Sequence, residues 1–341
     1  MGSSSIFGVL ALMVFFGLIN SSLNERDRRA ADDTYGYIKY TTAHEIARSG
    51  INIALKRVAD SSTVTNVVGV LDGGSYNVSL TRINDTLNIV SSARFSDTTY
   101  RIISKLIVYS KPFPGSFGAA VGLDVDNVNF TIPNDKKSSG FAIDGFNHDT
   151  SGNRLTDTLG VPGVAVTTAT DTTKVLISSK VIDGTEDVVY NPGLVNPADF
   201  VDEYIAQADT IISTNGNLTG GRYGSAVNPA IVYINGGADP SNDLKITGTF
   251  SGWGILVIHG SATINGTFDW KGLVIVYGNT NLEFDASSGN AHFIGAVLMG
   301  GPSGSTFYMN GKARIEYSTS TLNTSKNIGK LLAYHILDWY E

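Results

Sequence analysis

The feature that most constrains this chain is its start, where an apolar segment runs directly into a cluster of charges. Residues Ile6 to Ile19 carry no charged side chain, and Glu25 to Arg29 are all charged. Helical spacing of apolar residues then continues for about forty residues beyond the segment. At a rise of ~1.5 Å per residue, a helix from Ile6 to Val58 would be about 80 Å long, well beyond an ordinary globular helix. The sequence therefore predicts one very long N-terminal helix.

Several interpretations of this start are open. Met1 to Ser5 resemble an expression leader, and a buried core helix or a membrane anchor would also be apolar. A cleaved secretory signal fits less well, because no positive residue precedes the segment and no small-x-small site follows Ile19. Ile6 to Ile19 alone would cover ~21 Å of a hydrocarbon layer of ~30 Å. The favoured interpretation is that several such helices pack together, and that each is anchored in a membrane at most transiently before that.

The second half of this helix is amphipathic. Apolar residues recur at three-and-four spacing from Ala43 to Val58, with charged residues on the opposite face. Small residues in this stripe would let another backbone come close. Residues 1–60 are therefore predicted to be a polymerisation helix, with packing of its second half on the meander of its own chain as the alternative. The side chains expected to make its contacts are Ile6, Phe7, Val9, Leu10, Leu12, Met13, Val14, Phe15, Phe16, Leu18, Ile19, Ile46, Gly50, Ile53 and Ala54.

After residue 60 the period of the apolar residues changes to two. Three alternating runs between Tyr76 and Tyr109, with turns at Asn84-Asp85 and Ser96-Asp97, predict an antiparallel meander over residues 61–112. The segment Lys111-Pro-Phe-Pro-Gly115 breaks the pattern and marks a boundary.

The C-terminal body contains an internal repeat. Residues 246–258 and 264–276 match at an offset of 18, and similar apolar segments start at Ala230, Gly254, Gly272 and Gly295. Short repeats of this kind bury their apolar faces by stacking. Residues 113–325 are therefore expected to be solenoid-like, with a β-sandwich as the alternative, and residues 326–341 to be a helix. The predicted fold class is α+β: a long N-terminal helix, an antiparallel β-meander, a Gly-rich stacked-strand body and a short C-terminal helix.

Composition excludes several classes of function. The net charge of −7 argues against nucleic-acid binding, which needs clustered basic residues. The absence of cysteine excludes disulfides, thiolate catalysis and Cys-ligated zinc. The five histidines are scattered, and the sequence carries no HExxH, GxSxG or Walker A motif. We therefore expect no enzyme activity and no cofactor.

One loop has the composition of a weak calcium site. Asp144, Asn147 and Asp149 offer oxygen ligands, and Gly152 would allow the bend. Their spacing differs from that of an EF-hand, and Asn-Asp-Gly loops also form ordinary turns. Calcium binding here is the less favoured of the two interpretations.

The chain resembles type IV pilin-like proteins of the large PilX-like kind in bacteria. The resemblance rests on the apolar start, on residues 40–55, on the repeats near Gly254 and Gly272, and on residues 141–149 and 160–165. It implies a subunit that is held in the inner membrane before assembly, processed by a prepilin peptidase and handled by pilus assembly machinery. The chain departs from this family's pattern in two ways. No Lys or Arg precedes the apolar segment, which suggests Met1 as the mature N-terminus. Ser5 stands where major pilins usually carry glutamate.

The leading hypothesis is the main structural subunit of an extracellular type IV pilus-like filament, a helical homopolymer with a displayed β-rich domain and a role such as adhesion. A low-copy minor pilin or tip adhesin is one alternative. A membrane-tethered β-solenoid that binds or cleaves polysaccharide is another, since Trp253, Trp270 and Tyr277 could stack on sugar rings.

Overall fold

The computed structural model describes residues 3–60, 64–83, 86–110, 118–133, 140–156, 158–214, 216–236, 244–287 and 289–340. The chain divides into two compact units, Met1–Tyr109 with Tyr334–Glu341, and Ser110–Ala333. The long helix and the meander, expected as separate regions, lie in the same unit. The predicted fold class is confirmed: a long N-terminal helix precedes antiparallel strands and a large, mostly parallel, curled sheet, with a short helix near the C-terminus.

The helices and strands of the described residues are as follows. The α-helices are α1 (Ser3–Asp60), α2 (Ala169–Leu176), α3 (Val201–Ala206) and α4 (Thr319–Lys326). The strands are β1 (Asn66–Leu71), β2 (Gly74–Ile83), β3 (Thr86–Phe95), β4 (Thr98–Ser110), β5 (Val121–Asp124), β6 (Asn129–Thr131), β7 (Ile143–Asp144), β8 (Val164–Val166), β9 (Ile182–Asp183), β10 (Val188–Tyr190), β11 (Thr210–Ser213), β12 (Asn217–Tyr223), β13 (Ala230–Asn235), β14 (Leu244–His259), β15 (Ala262–Ile264), β16 (Thr267–Tyr277), β17 (Glu283–Ala286), β18 (Asn290–Gly300), β19 (Thr306–Met309), β20 (Arg314–Tyr317) and β21 (Leu332–Tyr340).

The first unit is a sheet with one end of α1 packed on one face. The strand order among the described residues is β1-β2-β3-β4-β21, and β1 to β4 are antiparallel neighbours. Side chains along β2 and β3 alternate between buried and exposed, which is the pattern of a sheet covered on one face. The predicted meander is thus confirmed, and β1 and β21 are two further strands that were not predicted.

The turns of this sheet follow local rules. Asp72 and Gly73 join β1 to β2 with φ of 50° and 78°, the positive values that a type I′ hairpin requires. Ser96, in the predicted turn between β3 and β4, also has a positive φ of 55°. The turn predicted at Asn84-Asp85 lies outside the described residues.

The bounds predicted for the C-terminal helix are wrong. The short helix is α4, and Leu332–Tyr340 forms β21 beside β4. Apolar residues from Ile328 to Trp339 have helical spacing, but the segment is also rich in aromatic and branched residues, which suit a strand. Pairing with the backbone of β4 decides between the two, because a free sheet edge satisfies the hydrogen bonds of an added strand.

The second unit is built on a sheet of sixteen described strands, whose neighbours pair in parallel. Ala230 lies opposite Gly254, Gly254 opposite Gly272, and Gly272 opposite Gly295. These pairs reproduce the offsets of 24, 18 and 23 residues read from the sequence, so the predicted stacking of the repeats is confirmed. Earlier strands continue the stack, with β5 on β18, β6 on β19 and β7 on β20.

Glycine occupies one bend of each stacked segment. Gly254, Gly272 and Gly295 have φ of 119°, 133° and 148°, which L-residues with a side chain rarely adopt. A Cβ on Gly272 would collide with the carbonyl oxygen of Gly254, and one on Gly295 with that of Gly272. The repeat of glycine in the sequence is thus a requirement of backbone contact between successive strands.

Both faces of the central strands are covered, which agrees with their runs of consecutive apolar residues. The interior of the curled sheet holds a column of aromatic rings, with Phe250 and Phe268 stacked at 5.4 Å between centroids. The outer face, including Ile255 and Leu273, is covered by residues of α3 and of the segment after α4, among them Tyr204 and Leu331. α4 itself docks through hydroxyl groups: Thr321 Oγ1 donates to the Ile294 carbonyl at 2.7 Å.

Candidate assembly surface

The first half of α1 carries apolar side chains that the described chain leaves uncovered. The exposed fraction of its large apolar side chains ranges from 39% at Ile19 to 68% at Met13. We call residues 9–23 the apolar segment. Its large exposed side chains are Val9, Leu10, Leu12, Met13, Val14, Phe15, Phe16, Leu18, Ile19 and Leu23. Ile6 and Phe7 also lie in α1, but their side chains are outside the described residues.

The apolar side chains surround the helix. Leu12, Met13, Val14, Phe15 and Phe16 are consecutive, and at 3.6 residues per turn five consecutive residues cover every direction around the axis. A helix that packs on one partner needs only one apolar stripe, whereas a helix that is apolar all round is surrounded. The segment therefore has the surface of a helix with neighbours on several sides.

Gly17 is a second feature of this segment that points to a partner outside the described chain. Glycine inside a helix costs about 0.5–1 kcal/mol relative to alanine. No described atom lies within 4 Å of the position that a Cβ on Gly17 would occupy. Its small size therefore serves no packing within the described chain.

The second half of α1 packs on the sheet of its own chain. Ile46, Gly50 and Ala54 are buried and Ile53 is partly buried. A Cβ on Gly50 would lie 3.1 Å from atoms of Ser91, Tyr76 and Val78. Their assignment to contacts between copies is therefore corrected: the chain's own strands occupy the faces of Ile46, Gly50 and Ala54.

The packed half of the helix begins near residue 39. Lys39 Nζ pairs with Asp97 Oδ1 at 2.9 Å, and the rings of Tyr40 and His44 both meet Tyr100 edge-on at 5.0 Å. The hydrogen bond between the two side chains raises the pKa of Lys39 and lowers that of Asp97. The polar or small residues at 20–22 and 34–36 do not interrupt α1, which is continuous through both.

Among the described residues, no helix combines the length and the apolar character needed to cross a membrane. The membrane-inserted precursor stays a prediction.

The loop considered for calcium is held by hydrogen bonds of the protein. Asp149 Oδ1 accepts from the backbone N–H groups of Ser151 and Asn153 at 2.7 and 2.9 Å. Asn147 Oδ1 accepts from the backbone N–H of Thr319 at 2.8 Å, while the Asp144 carboxylate faces His148. Across the described parts of the chain, no three His, Asp or Glu side chains are grouped to hold a metal ion. The three residues thus take part in separate structural contacts.

His148 occupies a site that favours its protonated form. Its Nδ1 lies 2.7 Å from the Phe146 carbonyl oxygen and its Nε2 lies 3.4 Å from Asp144 Oδ2. Both ring nitrogens can donate only in the imidazolium. Burial opposes the charge, but the hydrogen bond and charge of Asp144, the charge of Glu316 and the Phe146 carbonyl together raise the pKa of His148. Two further side chains lie beside these carboxylates. Arg154 Nη1 is 3.8 Å from Asp144 Oδ2, and His292 Nε2 is 2.7 Å from Glu316 Oε2.

We expect this arrangement to make the stability of the second unit depend on pH. A raised pKa in the folded state stabilises the fold fully below the unfolded value near 6.5, and that stabilisation is lost as pH rises through the folded pKa. The melting temperature should therefore fall above about pH 6.5, and His148→Gln should flatten the fall. Burial lowers the pKa of His259, so its contribution lies below pH 6.5, and His259→Gln is the matched control. An unchanged slope in His148→Gln would contradict the assignment.

The aromatic residues considered for sugar stacking have separate surroundings. Trp270 is fully buried and its Nε1 donates to the Gly254 carbonyl at 3.2 Å, so it cannot meet a ligand at the surface. Tyr277 stacks on His259 at 4.8 Å between centroids. Trp253 is partly exposed, with the Lys271 ammonium 5.2 Å from its ring centroid.

Comparison of the sequence with protein-family profiles and with curated proteins gives no match. Among solved structures, the chain is similar to the competence-associated pilin ComZ from Thermus thermophilus. The similarity covers 89% of this chain and 97% of the pilin, at 10% sequence identity and a TM-score of 0.26. This score is too low to establish a shared fold.

Proposed function

We propose that this chain is the structural subunit of a filament in which the apolar segments of many copies pack together. The observation that carries the proposal is the exposure of large apolar side chains in every direction around α1 between Val9 and Leu23. One partner helix would cover only one side, whereas copies arranged by a repeated rotation and translation surround each helix with others. The β-rich remainder of the chain is then displayed outside this core.

The energetics support a stable polymer. Burying about ten large apolar side chains at ~1.5–3 kcal/mol each gives a gross gain on the order of 20 kcal/mol per subunit. Association costs roughly 4–15 kcal/mol in lost freedom of motion. The remainder favours assembly, and Gly17 would allow a neighbouring helix to approach closely.

The finer proposal is an extracellular filament of the type IV pilus-like kind. Its support is the sequence, in which cysteine is absent, charged residues make up 16%, and Gly-rich stacked strands follow an apolar start. The arrangement of α1 also suits this proposal, since one half anchors the helix to its own sheet and leaves the other half free for neighbours. A low-copy subunit would use the same helix surface, and counting subunits per fibre separates it from the main subunit.

The proposal is tested by removing the apolar half of α1 while keeping the packed half. A fragment of residues 38–341 retains every buried side chain of the helix, since these begin at Ala43. We expect the full chain to form fibres visible by electron microscopy, and the fragment to sediment as a folded, unassembled species. Fibres formed by the fragment would overturn the proposal, and its circular dichroism spectrum reports whether the fold is kept.

A further inference from the structure

A polar groove crosses the outer surface of the stacked strands in the second unit. It encloses about 530 Å³, within the range of small-molecule sites. Phe141 lies at its rim with 44% of its surface exposed. Its polar lining consists of Thr267, Asp269, Asn290, His292, Lys312 and Arg314.

Three of the lining residues belong to a ladder of side chains that the strand register builds. Arg222, Ser251, Asp269, His292 and Arg314 occupy directly opposite positions on five successive strands, β12, β14, β16, β18 and β20. We call this set the polar ladder. The side chains point outward because the alternate positions of these strands fill the aromatic interior. Neighbouring strands lie ~4.8 Å apart, so the ladder repeats at a regular short spacing.

A buried carboxylate fixes two members of the ladder. Glu316 is only 8% exposed, and its Oε2 lies 2.7 Å from His292 Nε2 while its Oε1 lies 3.4 Å from Arg314 Nε. Gly152 closes the other side of this pair, because a Cβ there would meet Glu316 Oε2. With its Nε turned toward Glu316, Arg314 still has both terminal nitrogens for a ligand.

The charges that face the groove favour an anionic ligand. Lys312 is exposed and makes no ion pair within the described residues, and Arg314 is exposed beside it. Among the described residues that line the groove, Asp269 is the one carboxylate, and it lies 3.9 Å from the Lys271 ammonium. A guanidinium fork with a nearby ammonium suits a carboxylate. Thr267 and Asn290 offer hydroxyl and amide groups, and Phe141 offers an apolar ring face.

We propose that this groove binds an acidic oligosaccharide built of uronic-acid units. Lys312 and Arg314 bind its carboxylates, Thr267 and Asn290 bind its hydroxyl groups, and Phe141 covers the apolar face of one sugar ring. The lining repeats on successive strands, with Thr267 opposite Asn290 and His292 opposite Arg314, and such a row suits a linear polymer with repeating units. This binding activity is independent of filament assembly, since every residue involved lies outside α1.

Titration calorimetry of the full chain with an oligogalacturonate tests the proposal. A neutral galactose oligosaccharide of the same length is the matched ligand. We expect the acidic ligand to bind with an affinity that falls as salt is added, and the neutral one to bind at least about tenfold more weakly. Lys312→Gln and Arg314→Gln should each weaken binding by about tenfold. Arg222→Gln, a change of the same kind on the same ladder outside the groove, should stay within about twofold.

The outcomes are distinct. Lack of binding by oligogalacturonate, equal binding of the neutral oligosaccharide, or unchanged binding in both groove variants would each overturn the proposal. Lys312 makes no ion pair among the described residues, so Lys312→Gln is expected to keep the melting temperature of the parent and remain informative even if Arg314→Gln does not fold. Binding is measured on dispersed protein as well, which separates it from assembly.

Discussion

Replacing Val14 with aspartate is expected to abolish fibre formation while leaving the fold of the chain intact. Val14 is 60% exposed at the centre of the apolar segment, so the change removes no described contact within the subunit. In the assembled state the carboxylate would be surrounded by apolar side chains, and an uncompensated buried charge costs several kcal/mol. Because that cost recurs at every subunit, elongation stops. Fibre counts by electron microscopy, beside the melting curve of the soluble protein, measure both effects.

Asn24→Asp, just outside the apolar segment, is the matched control for this variant. It places the same charge on the same helix, at an exposed polar position next to the charged residues that begin at Glu25. We expect it to assemble as the parent does. Normal fibres in Val14→Asp would show that the apolar segment lies outside the filament core.

Replacing Ala54 with aspartate should instead destabilise the first unit. Ala54 is fully buried on the face of α1 that packs on the sheet. A buried, unpaired charge is expected to cost about 3–5 kcal/mol, which for a unit of this size lowers the melting temperature by about 10 °C or more. Thermal unfolding followed by circular dichroism measures the change.

Asn52→Asp provides the control for Ala54→Asp, since Asn52 is exposed on the same helix. Its melting temperature should stay within about 2 °C of the parent. If Ala54→Asp kept the stability of the parent and lost only assembly, the packing of this half of α1 on its own sheet would be contradicted.

Periodicity in the sequence was sufficient to predict the main elements. The change of period after residue 60 placed the meander, and the offsets between Ala230, Gly254, Gly272 and Gly295 equal the observed strand register. Stacked strands can be recognised from a repeat in the sequence, because each must present the same bend and the same interior face to its neighbour.

Elements that depend on tertiary contacts were missed. α4 contains few apolar residues, and it is held by Ser318 at its N-cap and by hydroxyl bonds of Thr321 and Ser325 to strand carbonyls. Hydrophobic periodicity cannot detect such a helix. β21 was mistaken for a helix because its apolar residues have helical spacing, and its pairing with β4, which decides for a strand, is a tertiary contact. β1 was missed although Asp72-Gly73 is a strong hairpin signal.

The sequence predicted the apolar side chains that are exposed in the first half of α1, whereas it left two partners open for the second half. The same stripe pattern cannot tell a contact with another copy from a contact with the chain's own sheet. Ile46, Gly50 and Ala54 belong to the second kind. The polar ladder was not recognised, although aligning Thr267-Phe268-Asp269 with Asn290-Ala291-His292 at the repeat offset would have placed Asp269 beside His292.

The central claim is that the apolar segment lies in the core of the filament, and the chain offers a direct measurement because it contains no cysteine. Val14→Cys keeps a small apolar side chain at the core position, and Val227→Cys places the control thiol at a site that is 85% exposed in the second unit. The rate of maleimide labelling of each thiol is measured in assembled fibres and normalised to its rate in denaturant. In fibres, we expect the thiol of the Val14→Cys variant to react at least about tenfold more slowly than that of the Val227→Cys variant, as a thiol excluded from water should. Equal rates in the two variants would contradict the account.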